Sequence, residues 1–271
     1  MTTYAYIRFP DEIIHQHMMM KTNKSLYGVL DKLGSDHWWY RAKNNLIKMF
    51  LETFSGGGGS GDRSQAVLDI GCGAGNLSKD LQDLGYQVTS VDLSEDAINY
   101  CYTRGLIRAR VADAARLPFP SNYFDFAVAS EILEHIQDDG KTIKEIRRVM
   151  KPGGVVIITV PAIPMLWSYQ DVYWGHFRRY TRHSLEVLLQ NEHFQILKLS
   201  YFNFSLFLPA ALIRIFSNLF TKKSDRVACD EYKSNNGLIG SLFTGILKIE
   251  KEYLKKYNFP IGISLCAVVK K

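Results

Sequence analysis

The chain has 271 residues, 46% of them hydrophobic and 22% charged, which suits one large domain with attachments and excludes disorder as a whole-chain description. Lys and Arg outnumber Asp and Glu by 33 to 27, a balance that tolerates anionic partners without selecting nucleic acid, lipid or phosphorylated substrates. Its four cysteines, Cys72, Cys101, Cys229 and Cys266, lack C-x-x-C spacing, which excludes a disulfide-stapled scaffold and gives no support to a structural zinc site.

The opening MTTYAYIRFPDEIIHQHMMMK carries Asp11 and Glu12 and no uninterrupted apolar core, so it does not read as a signal peptide. In DHWWYRAKNNLIKMFLETF, Trp39, Leu46, Ile47, Phe50 and Leu51 fall near helical spacing, with Asp36 as the cap. The run SGGGGSG, Ser55–Gly61, reads as a flexible connection. Residues 1–61 are therefore expected to form a helical cover and linker, and residues 62–271 the main body.

A strand–helix alternation then begins. Strands are expected in Ala66–Ile70, YQVTSVDL, LIRARVAD, Tyr123–Ser130 and VVIITVP. Helices are expected over Asn76–Gly85, over SEDAINYCYTRG with Ser94 as N-cap, and over DDGKTIKEIRRVM, ending at Lys151-Pro152-Gly153-Gly154. This interval implies βαβ units and a parallel sheet covered on both faces. Its basic helix, with Lys141, Lys144, Arg147, Arg148 and Lys151, reads as a solvated outer face.

Beyond Pro161 the pattern loosens. PMLWSYQDVYWGHFRRY is aromatic-rich and irregular, TRHSLEVLLQNE reads as a helix and FQILKLSYF as a strand. Phe202–Phe220 is apolar but interrupted by Asn203, Pro209, Arg214 and Asn218, which argues against a membrane span. It reads as a cavity wall, with peripheral membrane contact as the other reading. A polar linker, a helix from Leu238 to Tyr257 and a strand-like end, FPIGISLCAVVKK, complete the chain. Residues 161–259 are expected to hold insertions on the substrate side, and the expected location is cytoplasmic.

The sharpest feature is VLDIGCGAG, Val67–Gly75, between an expected strand and an expected helix. Glycines there allow a tight turn and close approach of a ligand, and the following helix offers free N–H groups. Asp92 ends the second strand 21 residues after Gly71, where a carboxylate accepts ribose hydroxyls. Dinucleotide sites share this geometry, but the turn here is G-x-G-x-G, with Asn76 where their third glycine stands. Asp113 in VADAARLPF, Asp125 at the start of the fourth strand, the polar SEIL that ends it and KPGG before the fifth complete an ordered set.

That set, over about residues 66–160, resembles the class I S-adenosylmethionine-dependent methyltransferases, in particular their small-molecule branch. HWWYRAK and HFRRYT look like a bacterial subgroup of the same family. The resemblance implies an α/β, Rossmann-like, seven-stranded, mostly parallel sheet with helices on both faces, an antiparallel last strand, and N- and C-terminal covers. Its cofactor would be S-adenosylmethionine. By motif, Asp69, Gly71 and Gly73 would line the methionine moiety, Asp92 would hold the ribose, Leu93 would pack beside the adenine, and Asp113 and Ala114 would meet its edge. Ser130 and Glu131 would face cofactor and substrate.

Methyl transfer from a sulfonium is an in-line displacement that needs alignment above all, and no metal is expected. A hydroxyl or carbon acid acceptor calls for a general base, for which His176, His135 and Glu131 are the candidates. Arg178, Arg179 and Tyr180 beside His176 suit an anionic group on the acceptor. Trp38 is suited to cation–π contact with the sulfonium, and Arg41 to the cofactor carboxylate. The expected activity is methylation of a small or lipid-like acceptor, O- or N- ahead of C-methylation. An NAD-dependent oxidoreductase and a catalytically silent binding partner of the same fold are the alternatives. No nucleic-acid partner is expected, and the oligomeric state is open.

Overall fold

The computed structural model of the chain describes residues 37–54, 65–220 and 238–271. The Asp36 cap, the Ser55–Gly61 linker, Cys229 and the polar linker of residues 221–237 lie outside the described residues. In chain order the elements are α1 (Trp38–Phe54), β1 (Ala66–Ile70), α2 (Asn76–Asp83), β2 (Gln87–Asp92), α3 (Glu95–Thr103), β3 (Ala109–Val111) and β4 (Phe124–Ser130). There follow α4 (Asp139–Val149), β5 (Met150–Pro161), α5 (Tyr169–Tyr173), α6 (Arg182–Asn191), β6 (Gln195–Phe202), α7 (Phe207–Phe220), α8 (Leu238–Lys256) and β7 (Ser264–Lys270).

The strands form one seven-stranded sheet in the order β3-β2-β1-β4-β5-β7-β6. Parallel pairing runs from β3 through β5, and β7 is antiparallel to both of its neighbours. The central strands are buried on both faces, as continuous apolar runs such as FAVA and VVIITV require. On one face Ile143 and Ile146 of α4 and Leu185 and Leu189 of α6 pack against the sheet. On the other, Leu46, Ile47, Phe50 and Leu51 of α1 join Leu77 and Leu81 of α2 and Leu254 of α8. The helix before the glycine run is thus part of the sheet's own cover. Ser94 caps α3 as its position predicts, its hydroxyl accepting from the Ala97 N–H.

Two segments differ from expectation. KPGG does not separate helix from strand: β5 starts at Met150 and runs through it, and pairing with β4 slips from Phe124–Met150 to Phe126–Val155. Gly153 takes a left-handed φ of 79° in this bulge. Asp125, inside the slipped stretch, accepts from the Ala66 N–H at 3.0 Å and from Lys151 Nζ at 2.7 Å. Its place in the set is structural, tying the starts of three strands together. The aromatic stretch after Pro161 contains a short helix, α5, set by a capping box between Ser168 and Asp171.

The order reverses direction between β1 and β4. In open α/β sheets this switch point, beyond the carboxyl ends of the strands, is where ligands bind.

Candidate active site

At that point the described residues enclose a cavity of about 1000 Å³. Its floor is the glycine turn after β1. Gly71 has a φ of 72°, and a Cβ there would stand 2.7 Å from Ile132. Gly75 has a φ of 79°, and its Cβ would meet Leu106 and Cys101. Both are glycines for backbone and packing reasons. Gly73 shares the left-handed backbone, with a φ of 52°, but a Cβ there would meet nothing within 4 Å and would project into open space.

Asp92 fixes the turn. Its carboxylate accepts from the Gly73 N–H and the Ser94 N–H, both at 3.0 Å. Leu93 stands half-exposed beside it, and Ala114 lines the same end. Asp113 turns its own loop by accepting from the Ala115 N–H at 2.8 Å. Asp69, buried under the turn, accepts from Ser78 Oγ at 2.6 Å, and Ser90 Oγ donates on to Ser78 at 2.7 Å. Burial pushes the Asp69 carboxyl up to about 6 against the opposing pull of the Ser78 hydrogen bond.

A folded-state value above the usual 3.8 means that ionised Asp69 opposes folding. The cost is absent below about pH 4 and complete above about pH 6. Asp69→Asn removes it. The melting temperature of the wild-type apo chain, measured relative to that variant, is expected to fall as the pH rises from 4 to 6. A pH-independent difference would refute the assignment.

The opposite wall is polar. Glu131 follows β4 with a left-handed φ of 54°, a strained conformation for a non-glycine residue. Its Oε1 is buried without a hydrogen-bond partner, as are both carboxylate oxygens of Glu134. Burial first, then the Glu131 charge, pushes the Glu134 carboxyl well up. Buried Lys43, on α1, has its ammonium 4.7 Å from the centre of the Trp39 ring and 5.1 Å from that of Tyr40. Burial lowers its pKa, and the charges of Glu131, Glu134 and Asp69 oppose that.

Asp171 organises the far side. Its carboxylate is 2.9 Å from His176 Nδ1 and accepts from Arg179 Nε at 2.8 Å and Arg214 at 3.1 Å. Burial alone would raise its pKa, but the His176 bond and the two arginines hold it well below the usual carboxylate range. The rings of His135 and His176 meet edge to face, 4.7 Å between centres.

The cavity thus gathers Asp69, Gly71, Gly73, Asp92, Leu93, Asp113, Ala114, Ser130, Glu131, His135, His176, Arg179 and Trp38 from the sequence reading. Three expected residues are not brought there. Arg41 is exposed and off the cavity wall, because the register of α1 turns Lys43 inward instead. Arg178 pairs with Asp139 at 2.7 Å and donates to the Gln137 carbonyl. Tyr180 is a core residue whose hydroxyl donates to the same Asp139. Arg179 does line the cavity, but its guanidinium is engaged by Asp171 and the Ala162 carbonyl.

Four residues were missed. Lys43 announces itself as a charge on the apolar stripe of Trp39, Leu46 and Phe50, and Arg214 as a charge in an apolar helix. Glu134 follows Glu131 by three residues, whereas nothing local marks Asp171. Of α7, Ala210 and Arg214 line the cavity while Leu208 and Leu212 are exposed, which makes this helix a wall. No described helix is long and apolar enough to cross a membrane.

Fold and cavity define an α/β domain built for an adenosine-bearing ligand. Residues 68–158 match the family model of a methyltransferase domain. The chain is 33% identical over 123 residues to the demethylmenaquinone methyltransferase of Desulfitobacterium hafniense, covering 42% of this chain and 49% of that protein. It is 37% identical over 98 residues to the ubiquinone biosynthesis O-methyltransferase of Caulobacter vibrioides, covering 34% and 39%. The chain thus spans about half the length or less of these curated relatives. Phosphoethanolamine N-methyltransferase 2 of Haemonchus contortus, solved with S-adenosyl-L-methionine, shares the fold. Its TM-score is 0.61 at 20% identity, over 97% of this chain and 61% of that one. The chain carries a methyltransferase domain of the class I S-adenosylmethionine-dependent family.

Proposed function

We propose that the chain transfers the methyl group of S-adenosylmethionine to a small, partly apolar acceptor, at oxygen or nitrogen rather than carbon. The observation that carries this reading is the open space at Gly73 beside Asp92: it is room for a ligand, flanked by a carboxylate suited to ribose hydroxyls. The residues present fit the cofactor. Asp92 would hold the ribose, Leu93, Asp113 and Ala114 the adenine, and Asp69 with the Gly71–Gly73 backbone the methionine end. When bound, the cofactor supplies an activated methyl group, and the protein's task is alignment and exclusion of water.

The acceptor would then enter between the glycine turn and the polar wall of Glu131, Glu134, His135 and His176. Charged groups there favour an acceptor that loses a proton on methylation. His176, oriented by Asp171, and His135 are placed to receive that proton. His176→Ala is expected to lower turnover about 100-fold while leaving cofactor affinity nearly unchanged. Full turnover in the variant would remove His176 from the mechanism.

Calorimetric titration with S-adenosylmethionine, S-adenosylhomocysteine and NAD tests the cofactor. Micromolar binding of the first two and none of NAD is expected. Binding of NAD alone would return the glycine turn to the oxidoreductases. Cofactor binding without turnover on any quinol, phenol or amine would favour a silent binding partner of this fold.

A further inference from the structure

We propose that Glu134, His135 and His176 form a binding site for a divalent first-row cation on the acceptor side of the cavity. One ligand atom from each lies within 4.8 Å of the others. Atoms bound about 2.0–2.2 Å from a common ion stand roughly 3–4 Å apart, so small side-chain rotations close the site. A mixed imidazole and carboxylate set suits Mn²⁺, Fe²⁺, Co²⁺ or Zn²⁺ rather than a thiolate-seeking ion.

Three further observations support it. Glu134 is fully buried, and neither of its carboxylate oxygens has a hydrogen-bond partner among the described residues. A doubly unsatisfied carboxylate in a core is costly, and a cation relieves it. The neighbouring Glu131 is held in a strained backbone conformation and leaves Oε1 buried and unpartnered in the same cavity. Lys43 and Arg179 are the cations that act on the Glu134 charge, and Asp171 already holds the Arg179 guanidinium.

His176 is engaged through Nδ1 by Asp171, which leaves Nε2 as the ligand nitrogen. A carboxylate behind a ligating imidazole fixes its tautomer and raises its basicity, as metal sites require. The two loops are joined by the Phe177 N–H, which donates to the Glu134 carbonyl at 2.7 Å. This keeps the two imidazoles in their edge-to-face contact before any ion arrives.

The cation's role in turnover rests on the acceptor-side reading above. A hydroxyl oxygen of the acceptor binds the ion, and its proton leaves to solvent. The oxygen attacks the sulfonium methyl, the C–S bond breaks with its electron pair staying on sulfur, and an O–CH₃ bond forms. S-adenosylhomocysteine and a methyl ether are the products. With the ion bound, His135 and His176 act as ligands instead of proton acceptors. The ion also selects oxygen over nitrogen and favours acceptors with two adjacent oxygens.

The test titrates the chelator-stripped full chain with Mn²⁺, following loss of the aqueous Mn²⁺ resonance. Pulsed resonance then searches for nitrogen couplings, and S-adenosylhomocysteine binding is measured in parallel. One ion per chain with micromolar affinity and imidazole couplings is expected. Glu134→Gln and His135→Ala should each weaken binding about ten-fold or more, while His183→Ala, on the exposed face of α6, should leave it unchanged. Retained S-adenosylhomocysteine binding shows that a variant has folded. No Mn²⁺ binding in a chain that binds S-adenosylhomocysteine overturns the metal site and spares the methyltransferase reading. Mn²⁺ bound without nitrogen couplings, or insensitive to Glu134→Gln, also overturns it. Mn²⁺ bound as expected in a wild-type chain that does not bind S-adenosylhomocysteine upholds the site and overturns the cofactor reading.

Discussion

Asp171→Asn is expected to destabilise the apo chain by about 3–5 kcal/mol, the loss that follows when one partner of a buried ion-pair network is removed. The substitution keeps shape and changes charge. It leaves the Arg179 and Arg214 guanidiniums facing each other with no anion between them. It also weakens the bond that orients His176. For a chain of this size the melting temperature should fall by roughly 5–9 °C in a thermal scan. Asp171→Asn combined with Arg214→Met should recover part of that loss, because one uncompensated charge goes too. A fall of only a degree or two would mean that Asp171 is solvated and that the arginines pair elsewhere.

Asp92→Ala should abolish most cofactor affinity. The two ribose hydroxyls assigned to this carboxylate make charge-assisted hydrogen bonds, each worth about 1.5–3 kcal/mol. Losing both raises the dissociation constant by about 100-fold or more. The same oxygens hold the Gly73 and Ser94 N–H groups, so the turn also loosens and the loss should exceed that from truncating Leu93. Calorimetry with S-adenosylhomocysteine reads the effect, and far-UV circular dichroism should remain unchanged. Undiminished affinity would remove the ribose assignment.

The glycine-turn half of the cavity was legible because it is local. The glycine turn, Asp92, Asp113 and the end of β4 sit at fixed offsets from strands whose apolar runs are plain in the sequence. Glycine at 71 and 75 answers to backbone and packing demands that any such turn imposes. The opposite half was legible only in part, because it is assembled from segments far apart in the chain. His176 drew notice for its neighbours, yet Arg178 and Tyr180 turned out to secure α4 through Asp139. No spacing rule connects Asp171 to Arg214, which lie 43 residues apart and meet across the aromatic loop and α7. On α1 the error was one of register: two residues separate exposed Arg41 from buried Lys43, and on a helix that is more than half a turn. The meeting of Glu134, His135 and His176 is likewise a tertiary fact, joining the end of β4 to the aromatic loop.

The place of β7 has a kinetic meaning. This strand enters between β5 and β6 although it follows both in the chain. The Ala162 N–H, at the root of the aromatic loop, bonds to the Ile263 carbonyl just ahead of it, and the Ala162 carbonyl in turn takes the Arg179 guanidinium. Long-range pairing of this kind forms late, since loop closure must precede its reward. During refolding the chain should therefore gain the half that carries the glycine turn first, from neighbours in sequence. The half walled by the aromatic loop and α7 should set only when β7 slots into place.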